Sequence, residues 1–157
     1  MTKLCSQVWV HAVWATKNRM PLIDSTFETQ LYKFISNQFY ELGCVAKIVN
    51  GALDHIHCLF LMNKTKSIAH VIKHVKGSSS FFINQSNFTD DYFIWQRGYA
   101  TYAVSEWELN KIYNYIKNQK EQHRLDNHKL NYSYIRCWFT PAPDEVEKNI
   151  NHQQVWV

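Results

Sequence analysis

The stretch Val8-Trp9-Val10-His11-Ala12-Val13-Trp14-Ala15-Thr16 is β-branched and aromatic almost throughout. Such residues suit a pleated chain, and the absence of a polar alternation predicts a strand buried on both faces. Thr16-Lys17-Asn18-Arg19 and then Pro21 end it. Downstream, Phe27, Leu31, Phe34, Ile35 and Leu42 recur at helical spacing, Asp24 or Ser25 is available as a cap, and Gly43 closes the helix. Cys44 to Val49 reads as a second strand, and Asn50-Gly51 carries a hairpin signal. His55 to Met62 alternates and reads as a third strand.

Ile68, Val71, Ile72 and Val75 predict a second amphipathic helix, which Gly77-Ser78-Ser79-Ser80 either interrupts or extends into Phe81, Phe82 and Ile83. Residues 84–91 read as a polar loop, and Tyr92 to Val104 contains strand-like stretches around Arg97-Gly98. Ser105-x-x-Glu108 is a capping box. Leu109, Ile112 and Ile116 then supply an apolar stripe for a helix to about Arg124. Residues 125–142 look irregular with strand-like aromatics, and Asp144-x-x-Glu147 could cap a last short helix. The order β-α-β-β-α-β plus a further helix predicts an α+β, ferredoxin-like domain: an antiparallel sheet with helices on one face and an added C-terminal helix. That fold hosts many functions, so the site must decide between them.

A chain of 157 residues with 46% hydrophobic and 19% charged residues has the size and composition of one folded domain. We therefore expect a single domain over residues 1–157, with a core at 6–124 and a tail of unassigned role. Cys5, Cys44, Cys58 and Cys137 form no C-x-x-C pair, which argues against a zinc ribbon and for free thiols in a reducing cytoplasm. The polar start and the short apolar runs predict neither a signal peptide nor a membrane span. The formal net charge is +4, and its placement is uneven. Residues 55–89 hold Lys64, Lys66, Lys73 and Lys76 and no acid, while the flanking regions nearly cancel. A basic window of this kind points to phosphate, with Ser78, Ser79 and Ser80 as added hydroxyl donors.

Two constellations carry chemistry. In Asp54-His55-Ile56-His57, side chains at i and i+2 of a strand share a face, so two imidazoles stand side by side. Such a pair suits a divalent metal, although a polar sheet face would carry the same pattern. In Tyr115-Ile116-Lys117-Asn118-Gln119, positions i and i+4 share one helix face, bringing a phenol beside an amide. A glutamine carbonyl is a hard oxygen ligand of the type Mg²⁺ or Mn²⁺ prefers. Tyr113 projects from another side of the helix with Lys117 at i+4, and reads as core or interface. Tyr99 and Tyr102 lack a ligand partner at helical spacing.

Together these elements resemble the single-tyrosine HUH transposases of small bacterial insertion sequences, the insertion-sequence 200/605 group. The resemblance runs from residue 6 to 124. It rests on Ala15-Thr16-Lys17-Asn18-Arg19 after the first strand, Asp54 to His57, Lys73 to Ser79, Trp95-Gln96-x-Gly98-Tyr99, and Tyr115 to Gln119. It implies an enzyme that cuts and rejoins single-stranded DNA at the hairpin ends of a mobile element through a 5′-phosphotyrosine. Tyr115 would be the nucleophile, and His55, His57 and Gln119 would hold Mg²⁺ or Mn²⁺. Lys64, Lys66, Lys73, Lys76, Ser78, Ser79 and Arg19 are the expected DNA contacts. The resemblance also implies a homodimer. The competing readings are a non-catalytic single-strand nucleic-acid-binding module and a metal-dependent hydrolase with no covalent step.

Overall fold

The computed structural model describes residues 5–121. Strand β1 (Trp9–Ala15) leads through a 3-10 turn at Lys17–Arg19 to helix α1 (Glu28–Glu41). Strands β2 (Val45–Gly51) and β3 (His55–Leu61) follow, then helix α2 (Ile68–Gln85), strand β4 (Ala100–Val104) and helix α3 (Leu109–Lys117). The sheet order is β2-β3-β1-β4, and every neighbouring pair is antiparallel. This is the expected ferredoxin-like arrangement.

Strand alternation sorts the core into two layers. Val10, Ala12 and Trp14 of β1 and Ile56, Cys58 and Phe60 of β3 point to one face, where they pack with Leu31, Ile35 and Phe39 of α1 and Val71, Ile72 and Val75 of α2. Each large side chain fully buried there contributes roughly 1.5–3 kcal/mol by leaving water. The other residues of the central strands face the opposite way. Leu59 meets Val104 and Ile116 in a smaller cluster, with Leu109 and Ile112 packed against it. Helix α3 therefore covers the sheet face that α1 and α2 leave open, so β1 is buried on both sides as its sequence predicts.

Several local signals resolve differently from their sequence reading. Asn50-Gly51 is the end of β2 and not the hairpin turn; the chain reverses over Ala52–Asp54, with the Ala52 N–H donating to the His55 carbonyl at 3.0 Å. Gly51 is there for space: a Cβ would lie 2.1 Å from the His55 carbonyl oxygen. Asp24 caps the turn that leads into α1, its carbonyl accepting from the Glu28 N–H at 3.0 Å. Its carboxylate accepts from the Thr26 N–H at 2.8 Å and from the Thr26 hydroxyl, building the turn that precedes the helix, whose own cap position is Phe27. At the other end Gly43 adopts φ +71° as expected, and the Cys44 N–H closes back on the Phe39 carbonyl at 2.9 Å.

Gly77-Ser78-Ser79-Ser80 extends α2 without a break, and the hydroxyls of all three serines bond back to carbonyls three or four residues earlier instead of competing for other partners. Ser105 and Glu108 do meet, hydroxyl to carboxylate at 2.9 Å, but they open a 3-10 turn (Glu106–Glu108) that leads into α3. Helix α3 itself stops at Lys117, with residues 119–121 helical beyond a turn at Asn118. Arg124, the aromatic segment 125–142 and the Asp144-x-x-Glu147 signal lie outside the described residues. No helix among the described residues is long and apolar enough to cross a membrane. Cys5, Cys44 and Cys58 are free thiols, the last two buried.

Candidate active site

His55 and His57 emerge from β3 on the face covered by α3, and both are buried. Their rings lie 5.1 Å apart edge to face. Each is tied back through Nδ1. The Asp54 carboxylate holds His55 Nδ1 at 2.6 Å and, through its other oxygen, Arg19 Nε at 2.8 Å. A carboxylate only accepts, so His55 donates from Nδ1 and carries its lone pair on Nε2. Arg19, expected to touch DNA, thus props Asp54, though its side chain remains 40% exposed.

The chain takes an unusual path to put Arg19 there. Asn18 and Arg19 both adopt φ of 56°, which costs on the order of 1–3 kcal/mol per residue for non-glycine side chains. The turn is held by Thr16, whose hydroxyl donates to the Met20 carbonyl at 2.7 Å and whose N–H donates to the Asp54 carbonyl at 2.9 Å. Gln96 adds a further tie, accepting from the Asn18 N–H at 3.1 Å.

His11 is the site residue that sequence reasoning missed. It sits in β1, whose Val13 lies opposite His57, so both histidines face α3. His11 Nε2 and His57 Nδ1 are 2.9 Å apart, and the ring centroids lie 5.2 Å apart with the planes within 23°. Burial pulls the His11 pKa down to about 4, keeping this imidazole neutral near pH 7. Only the β1–β3 register places it here, and that register is not written in the local sequence.

Tyr115 completes the cluster. Its ring stands edge-on to His57 at 5.7 Å and to His11 at 6.3 Å. Tyr102, set aside on sequence grounds, approaches His11 at 5.9 Å from β4. Tyr113 packs on the same small cluster, with the Lys47 ammonium 5.9 Å from its ring. Gln119 is 2% exposed, and its amide nitrogen donates to the Tyr115 carbonyl at 3.3 Å.

The end of α3 is anchored from two directions. Asn50, directly opposite His57 in β2, donates from its side chain to the carbonyls of Ile116 and Lys117 at 2.8 and 3.1 Å. Lys120, next to Gln119, pairs with Glu28 in the first turn of α1. These contacts hold the end of α3 beside His57. Among the described residues no cluster of three His, Cys, Asp or Glu side chains could hold a metal. His55 and His57 share one sheet face, while Gln119 is buried beyond the end of α3; by donor type, two imidazoles and an amide oxygen make a mixed nitrogen and oxygen set for a divalent cation.

The basic window divides. Lys64 and Lys66 lie in the β3–α2 connection, at the end of β3 remote from His55. The length of β3 from His55 to Leu61 lies between them, roughly 20 Å at about 3.3 Å per residue. Helix α2 then returns Lys73 and Lys76 towards the 94–98 segment, where the Gln96 N–H donates to the Ala15 carbonyl at 2.8 Å beside the His55 end of the sheet. Lys73 is exposed and lines a groove of about 490 Å³ with Lys76, Gly77, Trp95, Arg97 and Tyr99.

Three of the expected DNA contacts also bond within the protein. Lys76 donates to the carbonyls of Gln96, Arg97 and Gly98 at 2.6, 3.1 and 2.9 Å, and burial lowers its pKa to about 8. Ser79 is fully buried, accepting from the Trp95 indole N–H at 3.0 Å while donating to the Lys76 carbonyl at 3.2 Å. That geometry takes Ser79 away from any phosphate. Ser78 turns its hydroxyl onto the His74 carbonyl at 2.9 Å.

The protein-family profile described as "Transposase IS200 like" matches residues 4–119. A search of curated proteins finds no match. Among solved structures, a Deinococcus radiodurans R1 protein assigned as a transposase is 22% identical, with a TM-score of 0.60 over 76% of this chain and 98% of that one. A REP-associated tyrosine transposase bound to a REP hairpin is 14% identical, with a TM-score of 0.56 over 78% of this chain and 74% of that one. The structural likenesses bear on the fold, and the profile covers three quarters of the sequence, including every residue of the histidine–tyrosine cluster: the chain belongs to the IS200-like transposase family.

Proposed function

We propose that this transposase cleaves and rejoins single-stranded DNA at the ends of an insertion sequence, with Tyr115 as the nucleophile. The observation that carries the reading is the Tyr115 ring against His57, on a helix end tied down by Asn50. The Tyr115 oxygen attacks a backbone phosphorus. Its new P–O bond forms as the bond to the upstream 3′ oxygen breaks. The phenol gives up a proton and the departing 3′ oxygen takes one, leaving a 5′-phosphotyrosine and a free 3′-OH. Reversal of the step with a different 3′-OH joins strands, and the linkage conserves the bond energy between the two steps.

His55, His57 and Gln119 are the residues that would hold Mg²⁺ or Mn²⁺. The metal would polarise the scissile phosphate and offset its developing charge. Asp54 orients His55, and the Asn50 and Lys120 contacts fix where the Tyr115–Gln119 turn lies. Lys73 and Arg97 at the groove, with Lys64 and Lys66 farther along, supply cations for the DNA backbone. A solved relative is bound to a REP hairpin, which supports hairpin DNA as the substrate form here. We also infer a homodimer: Trp107 is 92% exposed at the entry to α3, a side chain that a second subunit would cover. A DNA substrate and free thiols fit a reducing cytoplasm.

The test is incubation with Mg²⁺ and a single-stranded oligonucleotide carrying an element-end hairpin, resolved on a denaturing gel. Cleavage that is abolished in His57→Ala and by chelation, with DNA binding kept within a few-fold, supports the reading. Binding without cleavage in the wild-type protein supports a non-catalytic module and contradicts it. Light scattering at one subunit mass contradicts the dimer.

A further inference from the structure

We propose that His11 is a positioning residue that accepts a hydrogen bond from His57 Nδ1 and so presents His57 Nε2 to the metal, an inference that rests on His57 being a ligand. A hydrogen bond between two imidazoles carries one proton, which sits on one ring or the other. Were it on His11, the His57 Nδ1 lone pair would be used as acceptor and a neutral His57 would carry its proton on Nε2, the wrong tautomer for a ligand.

One geometric observation favours the proton on His57, and burial keeps that proton between the two rings. His57 is held by Nδ1, the same ring atom through which its neighbour His55 is held by the acceptor-only carboxylate of Asp54. Two ligands at i and i+2 on one strand face present equivalent edges to one ion when both use the same nitrogen. The His11–His57 contact is also buried, with His11 6% and His57 4% exposed, so water does not compete for the shared proton. The centroids lie 5.2 Å apart with the planes within 23°, the side-by-side arrangement of a nitrogen-to-nitrogen hydrogen bond, which fixes the His57 ring plane. His11 would thus serve His57 as Asp54 serves His55, with a neutral acceptor in place of a charged one.

His11→Phe retains a planar ring and removes the acceptor; His11→Gln restores an acceptor and serves as the second variant. Two readouts apply. In the metal-free protein, imidazole nitrogen chemical shifts report which tautomer His57 holds. The Nδ1–H form is expected in the wild type, and a mixture in His11→Phe. In titration calorimetry with Mn²⁺ alone, His11→Phe is expected to bind about 10- to 100-fold more weakly, the usual range for removing a ligand's outer partner. His11→Gln is expected to recover part of that loss, and neither variant should change DNA affinity. A His57 Nε2–H tautomer in the wild type, or unchanged Mn²⁺ affinity in His11→Phe while His57→Ala abolishes binding, overturns the assignment of His11 alone. Mn²⁺ binding that survives His57→Ala overturns the ligand reading and this inference with it.

Discussion

Asn50 of β2 donates to the Ile116 and Lys117 carbonyls at 2.8 and 3.1 Å, linking the strand neighbour of His57 to the end of the helix that carries Tyr115. The last carbonyls of a helix lack partners within it, so a side-chain donor there both satisfies them and fixes the helix end in space. Asn50→Ala removes both bonds. It is expected to cost about 1–3 kcal/mol of stability and to lower the cleavage rate more than DNA affinity. Urea unfolding together with a single-turnover cleavage assay checks this; an equal loss of binding and cleavage would count against a positioning role.

The Arg19–Asp54–His55 relay makes a separate prediction about the metal. Asp54→Ala removes the acceptor for His55 Nδ1, at 2.6 Å in the structure. Mn²⁺ affinity is expected to fall about 10- to 100-fold. Arg19→Ala is expected to give a smaller loss, because it removes only the outer member. Calorimetry that ranks Arg19→Ala above Asp54→Ala would reverse the assigned order.

Much of this was legible locally. The apolar periods of α1 and α2, the two-sided burial of β1 and the shared face of His55 and His57 all depend on neighbours within one element; Gln119 does not, because a turn at Asn118 ends the helix that carries Tyr115 before reaching it. His11 and Asn50 were not legible, because each acquires its role from a residue brought opposite by strand register. Asn50 also carried a misleading local signal, since Asn-Gly favours tight turns wherever the sheet does not claim it. Ser79 failed for the complementary reason: its hydroxyl is a plausible phosphate donor until α2 turns it inward to Trp95.

That last contact separates the serines from the lysines by experiment. Ser79→Ala strands the buried Trp95 indole N–H and is expected to cost about 1–3 kcal/mol of stability with DNA affinity unchanged. Lys73→Ala, at an exposed position beside the groove, is expected to leave stability unchanged and to weaken DNA binding. The dependence of log affinity on log salt should become shallower by about one unit. Melting curves and salt-dependent binding measure both; a DNA defect in Ser79→Ala without a stability loss would restore Ser79 to the DNA contacts.

Lys76 predicts a pH dependence. Burial lowers its pKa from the ordinary 10.5 to about 8 in the folded chain. Between those values the unfolded state binds more protons than the folded state, so this residue's contribution raises stability as pH climbs through about 8 to 10.5. Below pH 8 both states are protonated and the contribution is constant. Lys76→Met also loses three hydrogen bonds to the 96–98 carbonyls. The stability of the wild type relative to Lys76→Met should therefore increase from pH 7 to pH 10 in urea titrations. A difference that stays flat would contradict the burial of the ammonium.

The central claim is that Tyr115, and not its neighbour Tyr113, forms the covalent bond to DNA. The two phenols lie on one helix, but only the Tyr115 ring meets His57, at 5.7 Å, while Tyr113 packs beside Lys47. The most direct measurement is mass spectrometry of the peptide carrying the nucleotide after reaction with a single-stranded hairpin oligonucleotide and Mg²⁺. The account predicts a 5′-phosphotyrosine on Tyr115, absent in Tyr115→Phe and retained in Tyr113→Phe. An adduct that persists in Tyr115→Phe, or maps to Tyr113, would contradict it.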